Sequence, residues 1–211
     1  MPGTRVAAIG CMRTAIFFAS REGQTRRIAQ RIAADLQAAG AAVDLFDLGA
    51  APAVVLSDYA SACVASSVHI GRHERAAVDF VKRQRAELER MSAVFVSVSL
   101  SEAGVEDIKR SESERRLSAA DVQRMIDGFV KETGWRPARV FPVAGALAYT
   151  RYNVLVRFVM KRIARRAGGP TDTTRDHDLT DWAAVDRFAE TIRYADTASG
   201  SAEPAVGAVS P

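Results

Sequence analysis

The sequence predicts an α/β protein: a doubly wound parallel sheet of five strands, with helices on both faces and a long insertion before the last strand. Three observations carry that prediction. Short apolar runs alternate along the chain with segments whose apolar residues recur at helical spacing, the pattern of a parallel sheet covered by its crossover helices. The first strand-like run, Thr14 to Ala19, is a nearly continuous apolar run rather than an alternating one, which suits a strand buried on both faces. The chain has 211 residues, 48% of them hydrophobic and 26% charged, enough for one compact domain.

Thr14-Ala15-Ile16-Phe17-Phe18-Ala19 is the first strand candidate. From Thr25 to Ala39 the period changes: Ile28, Ala29, Ile32, Ala33 and Leu36 form one helical stripe, and Gly40 supplies a stop. Ala42 to Leu48 and Ala62 to Val68 are the next strands, followed by a helix from Glu74 to Met91 that buries Val78, Phe80, Val81, Leu88 and Met91. Ala93 to Leu100 and Arg139 to Ala146 complete the five strands, and Thr180 to Tyr194 closes the fold with Trp182, Val185, Phe188 and Ile192 inward. The insertion between the last two strands, Ser101 to Lys131, is charge-dense and holds an amphipathic helix around Leu117, Val122, Met125, Ile126 and Phe129. An excursion of that length is usually functional or mobile. From Ala195 to Pro211 the chain turns to Ala, Ser, Gly and Pro and is expected to be disordered, leaving 12–194 as the folded domain.

Composition removes several functional classes. No window approaches the roughly 18 to 20 apolar residues of a membrane-spanning helix, because Arg or Lys interrupts each candidate. Met1 to Met12 has no clear signal-peptide cleavage pattern, so a cytoplasmic location is expected. Cys11 and Cys63 lie far apart outside any CxxC or Cys/His cluster, the pattern of plain thiols rather than a zinc site or disulfide framework. His69 and His73 are four apart without an evident third ligand, so no metal is expected, and His177 reads as a surface residue.

The net charge of +4 is unevenly spread. From Gly134 to Thr171 there are eight Arg or Lys residues and no acid, whereas Glu102 to Glu132 holds eight acids and six bases. Within the basic section, Tyr149 to Arg166 combines Val154, Leu155, Phe158, Val159 and Ile163 with Arg151, Arg157, Lys161, Arg162, Arg165 and Arg166. Such a helix can lie on an anionic membrane surface, with Tyr149 and Tyr152 at the interface, or pack its apolar stripe on the sheet with its bases solvated. Nucleic acid is not an expected partner, since charge is accompanied by no recognition motif or stacking platform.

Ser20-Arg21-Glu22-Gly23-Gln24-Thr25 joins the first strand to the first helix. Hydroxyls, a permissive glycine and free backbone N–H groups at a helix start favour a phosphate monoester, though an ordinary polar turn with a helix cap has the same spacing. The run is neither a Walker loop nor a GxGxxG fingerprint, which speaks against ATP hydrolysis and NAD binding.

The segment FFASREGQTRRIA resembles the phosphate loop of flavodoxins, with Glu22 where a hydroxyl is usual. The narrower run Ser-Arg-acidic-Gly-Gln-Thr-Arg resembles the flavodoxin-type, quinone-dependent protoporphyrinogen oxidases of bacterial haem synthesis. Four further segments agree: Val68-His69-Ile70-Gly71-Arg72-His73, Trp135-Arg136-Pro137, Ala144-Gly145-Ala146-Leu147 with Tyr149, Arg151 and Tyr152, and Gly168 to Thr173 followed by Thr180-Asp181-Trp182. The likeness spans Met12 to Ile192 and implies that related chains begin at Met12, with Met1 to Cys11 an extension.

The resemblance implies a flavodoxin-like strand order of 2-1-3-4-5 and FMN at the carboxyl ends of the first and third strands, the topological switch point. Ser20, Arg21, Gly23, Gln24 and Thr25 would take the phosphate. The flavin ring would lie between Ser66, Ser67, Val68, His69, Ile70 and Gly71 on one side and Ser97, Val98, Ser99, Leu100 and Ser101 on the other, largely through backbone. His69 is a weak candidate for proton transfer, and no other catalytic side chain is required because the flavin carries the chemistry. The implied reaction takes protoporphyrinogen IX to protoporphyrin IX, with electrons leaving to a membrane quinone at the cytoplasmic face of the inner membrane. The bases of the 149–166 section could receive either porphyrinogen propionates or lipid phosphates. An FMN electron carrier or a quinone reductase with another substrate is the alternative, and the fold permits a homo-oligomer.

Overall fold

The computed structural model describes residues 13–151, 153–154, 157–158, 161–162, 164 and 170–200, with backbone alone for residue 151 and residues 193–200. The expected extension, Met1 to Cys11, lies outside them, as do Tyr152, Arg165 and Arg166.

Strands β1 (Arg13–Ala19), β2 (Ala42–Asp47), β3 (Ser61–His69), β5 (Ser92–Ser99) and β6 (Arg139–Ala144) form a parallel sheet in the order β2-β1-β3-β5-β6. Counting parallel strands alone, this is the expected 2-1-3-4-5 arrangement. A short β4 (Arg72–His73) folds back antiparallel on the end of β3, pairing Val68 with His73 and His69 with Arg72.

Alternation along each strand divides the core into two layers. Ile16, Phe18, Cys63, Ala65, Val94, Val96 and Val98 face α1 (Gln24–Ala38) and the closing helix α5 (Trp182–Gly200). Ala15, Phe17, Val64 and Phe95 face the other way, toward α2 (Arg75–Leu88) and Phe129 of α4 (Glu112–Thr133). Trp135, fully buried, closes that second layer, with Phe129 stacked on Phe95 at a centroid separation of 4.2 Å.

The long segment between the last two parallel strands is α3 (Leu100–Glu106) followed by α4, and α4 provides the crossover from β5 to β6. Its amphipathic stripe is as expected at Val122, Met125, Ile126 and Phe129, all buried, but Leu117 is 70% exposed. Leu117 belongs to the first turns of α4, outside the stripe that meets the sheet. The helix starts at a capping box, in which the Ser111 hydroxyl accepts from Glu114 N–H and the Glu114 carboxylate accepts from Ser111 N–H. It stops at Gly134, whose φ of 71° is the left-handed conformation a helix end requires.

Two expected boundaries move. Helix α5 continues to Gly200, into the stretch expected to be disordered; its Val185, Phe188, Ala189 and Ile192 are buried against the sheet and nucleate a helix that small residues then propagate. The expected loop Ser66 to Gly71 is instead strand as far as His69, with only Ile70 and Gly71 forming the turn. Among the described residues no helix is long and apolar enough to cross a membrane.

Candidate functional site at the carboxyl edge of the sheet

The segment from Ser20 to Thr25 lies where the chain leaves β1 and enters α1, beside the carboxyl end of β3. Gly23 precedes α1 at φ 98°, a value that opens the turn and that side-chain-bearing residues rarely adopt. Gly23 N–H donates to the Ser20 hydroxyl oxygen at 3.0 Å, which folds the turn and leaves the Ser20 O–H proton available. Helix α1 begins without a side-chain cap and with no acid in its first turn; its first intrahelical bond to the cap runs from Arg27 N–H to Gly23 C=O. The N–H groups of Gln24, Thr25 and Arg26 therefore point out of the helix start with its positive dipole end. Beneath them Thr25 is only 1% exposed, and its buried hydroxyl has no hydrogen-bond partner in the protein. A buried hydroxyl in that condition costs stability unless a ligand completes it. An anion with several acceptor oxygens satisfies both the hydroxyl and the open amides, so the residues fit a phosphate.

The other side chains of the loop are engaged within the protein. Gln24 Nε2 donates to Asp178 Oδ1 and Thr180 Oγ1, both at 2.7 Å, and so ties α1 to β8 (His177–Asp178), which pairs with β7 (Ala146–Leu147). Thr180 in turn donates to Ala144 C=O at the end of β6. The Gln24 side chain is therefore a structural clamp, while its N–H remains among the open amides. Arg21 reaches across to Glu74 at 3.2 Å. Glu22, the departure from the usual hydroxyl, turns toward His69, whose Nε2 lies 3.1 Å from Glu22 Oε2 and 3.6 Å from Glu74 Oε1. Arg21, Glu22, His69 and Glu74 thus form one charged cluster joining the Ser20–Thr25 turn to the tip of β3.

The serines at the two strand ends are also inward. Ser66 accepts from Glu74 N–H, Ser67 donates to Ala19 C=O, and Ser99 caps α3 by accepting from Glu102 N–H. Ser97 bonds His73 Nε2 at 2.9 Å. What the ends of β3 and β5 offer a ligand is therefore backbone, together with Val68, the turn Ile70-Gly71, Leu100 and Ser101. Ile70 is fully exposed at φ 49°, a strained conformation for a β-branched residue.

Sequence reasoning missed Glu74, which unites Arg21 and His69, and the buried bond of His73 to Ser97, His73 having been weighed only for its spacing from His69 and as part of the Val68 to His73 segment. Both lie beyond a two-residue turn, and only its antiparallel pairing brings them back over β3. An exposed hydrophobic between two His-bearing dipeptides was the available signal. Sequence reasoning also missed Glu106, where loss of solvent and then the neighbouring Glu102 and Asp181 push the carboxyl up to about 7.

The basic section divides. Tyr149 is fully buried: its hydroxyl donates to Pro170 C=O at 2.9 Å and its ring packs edge-on against His177. This corrects its expected place at a membrane interface, because burying the ring against Leu147 and Ala164 satisfies both its apolar body and its hydroxyl. The described positions from 154 to 164 are helical, and Val154 and Phe158, one turn apart, are 83% and 66% exposed. Arg162 follows on the same face and is exposed, while Arg157 and Lys161 are half-buried. Among the described residues no group of three His, Cys, Asp or Glu side chains could hold a metal.

A doubly wound sheet with an open helix start at its switch point defines a flavodoxin-type protein, and residues 15–174 match the flavodoxin domain family, to which this chain belongs. More particularly, the chain is 32% identical over 183 residues to the protoporphyrinogen IX dehydrogenase [quinone] of Escherichia coli strain K12, covering 87% of this chain and 96% of that one. A protein of the same name from Leishmania major is 30% identical over 175 residues, 82% of this chain and 71% of that one. The expected resemblance is thereby borne out as homology to these oxidoreductases. Among solved structures, the rubredoxin oxygen:oxidoreductase of the anaerobe Desulfovibrio gigas superposes with a TM-score of 0.50 at 16% identity, over 90% of this chain and 37% of that chain, a likeness of fold.

Proposed function

We propose that this protein binds FMN and oxidises protoporphyrinogen IX to protoporphyrin IX, passing the electrons to a membrane quinone in haem synthesis, at the cytoplasmic face of the inner membrane. The observation that carries the flavin assignment is the buried, unpartnered Thr25 hydroxyl beneath the uncapped start of α1. The names of the homologues carry the substrate and acceptor.

On this reading the amides of Gln24, Thr25 and Arg26 and the hydroxyls of Ser20 and Thr25 hold the FMN phosphate, and Gly23 keeps the turn free of side-chain bulk. The backbone at the ends of β3 and β5 orients the ring. When bound, FMN supplies hydride acceptance in two-electron steps, three of which complete a six-electron oxidation. His69, its Nε2 3.1 Å from Glu22 Oε2 and 3.6 Å from Glu74 Oε1, is placed beside the turn to exchange a proton with substrate. The exposed Val154, Phe158 and Arg162 support docking of the 149–166 section on an anionic bilayer, where each near-surface cation contributes about 1 kcal/mol.

The test is an absorption spectrum of the purified protein followed by anaerobic addition of protoporphyrinogen IX and then a soluble quinone. Flavin bands that bleach with substrate and recover with quinone are expected. Flavin bands indifferent to substrate would identify an electron carrier instead. A colourless protein unable to take up FMN would overturn the site assignment.

A further inference from the structure

Helix α1 starts without the usual means of fixing a helix start. Gly23 gives no side-chain cap, and the first turn holds no acid. A capping Ser, Thr, Asp or Asn accepts from the N–H of the second or third helical residue. In α1 those residues are Thr25 and Arg26, whose amides are among those assigned to the phosphate. A cap here would compete with the ligand.

The start is held instead from outside, through a side chain. Gln24 is the first residue of α1, and both ends of its amide are engaged. Nε2 donates to Asp178 Oδ1 and Thr180 Oγ1, each at 2.7 Å, and Oε1 accepts from Arg27 Nη1 at 2.9 Å. Arg27 also donates to Asp178 Oδ2 at 3.1 Å, and its guanidinium lies 5.3 Å from the centre of the Trp182 ring. Asp178 further accepts from Thr180 N–H and Trp182 Nε1–H, both at 3.2 Å. One carboxylate thus gathers four donors, two from α1 and two from the chain leading into α5. An isolated surface ion pair contributes little, whereas several charge-assisted bonds converging on one carboxylate hold a geometry.

The anchor of this network is the sheet. Asp178 pairs with Ala146 in the β7–β8 ladder, Leu179 N–H donates to Gly145 C=O at 3.2 Å, and Thr180 Oγ1 donates to Ala144 C=O at 2.8 Å. Ala144 is the last residue of β6, and β3 and β5 lie between β1 and β6. The start of α1 is therefore referred to a second, distant strand end as well as to β1. We propose that Asp178 is a positioning residue of the phosphate site: through Gln24 it holds the first turn of α1 in place while leaving the amides of that turn to the ligand. Donors fixed in advance spare binding an ordering cost. The identity of the ligand rests on the FMN reading above; the clamp does not.

The experiment compares FMN with riboflavin, which lacks the phosphate, on the full chain freed of flavin. Asp178→Ala should weaken FMN binding about tenfold and riboflavin binding by about twofold or less. Asp186→Ala is the control, because it removes a second side-chain tie between α1 and α5, Arg31 to Asp186 at 2.8 and 2.9 Å, farther along α1 from the turn. It should leave both affinities unchanged, whatever it costs in thermal stability. Should Asp178→Ala not fold, Gln24→Met, which keeps the bonds of Thr180 and Trp182 to Asp178, is expected to show the same split between the two flavins. In the flavin-free chain, nitrogen-15 relaxation should show the N–H groups of Gln24, Thr25 and Arg26 loosened in the Asp178 variant and unaltered in the Asp186 variant. Undiminished FMN affinity, an equal loss for both flavins, or the same loss in Asp186→Ala would overturn the proposal. A wild-type chain that binds neither flavin would overturn the FMN reading instead, and the relaxation measurement then decides the clamp alone.

Discussion

At the residue scale, buried polar atoms left without partners are the most informative feature of this protein. Thr25→Val keeps the shape of the side chain and removes the hydroxyl. It should lower FMN affinity about tenfold, a loss of about 1.4 kcal/mol, with thermal stability unchanged or slightly higher. Fluorescence quenching of FMN on titration checks the first, and a melting curve the second. His73 and Glu106 impose opposite pH dependences. The folded-state pKa of His73 is lowered to about 4 from an ordinary 6.5, so the unfolded chain binds the extra proton between those values. Its contribution is complete above about pH 6.5 and is lost on acidification toward pH 4, by about 3 kcal/mol in all. Glu106 is raised to about 7, so the folded chain binds the extra proton between its ordinary 4.5 and 7, and stability falls as pH rises through that window. Its share is the smaller because solvent screens a group that is partly open. Glu106→Gln should therefore stabilise the protein at pH 8 and not at pH 4, as read from urea midpoints at the two values.

At the element scale, α4 does the most for the fold. It closes the second core layer through Phe129, provides the parallel crossover, and lines an open groove beneath the β3–β4 hairpin with Met125, Phe129 and Glu132. Phe129→Ala removes a ring stacked on Phe95 and packed edge-on to His73 and Trp135. A cost of about 3 to 5 kcal/mol is expected from denaturant unfolding. Ser111→Ala breaks only the capping box at the far end and should cost about 1 kcal/mol, without change in FMN affinity. A variant at Ser111 that lost flavin would show that the start of α4 communicates with the site. The β3–β4 hairpin is the other element of consequence, because its turn returns Glu74 to the charged cluster and His73 to the core.

At the scale of the whole molecule, exposed apolar and basic side chains meet in the 149–166 section. Val154, Phe158 and Arg162 share a helical face and are all exposed. Replacing Val154 and Phe158 by Ser should reduce sedimentation with anionic liposomes severalfold while leaving the flavin spectrum intact. Raising the salt should weaken the wild-type interaction further, since screening shortens the reach of the bases. Binding equal to wild type in the double variant would remove the membrane-docking role of this face.

The sequence by itself determined the five strands, their alternation with helices and the turn from Ser20 to Thr25 between the first strand and the first helix, because these depend on local pattern. Continuous apolar runs such as Ala15 to Ala19 leave little choice but a strand buried on both faces. Helical spacing from Ile28 to Leu36, with glycine before and after, marks a helix and both of its ends. The inward stripe of α4 was equally legible, whereas the exposure of Leu117 was not, since period alone does not say where a helix leaves its support. Only the tertiary structure decided the fate of Tyr149, the continuation of α5 and the partners of Glu22, Gln24 and His73. Each of these depends on contacts between segments far apart in the chain. Gln24 meets Asp178 and Thr180 across 154 and 156 positions, and His73 meets Ser97 across 24. A side chain's charge and size are written in its own codon of the pattern, but whether its polar atoms find partners is settled by what the fold brings opposite them.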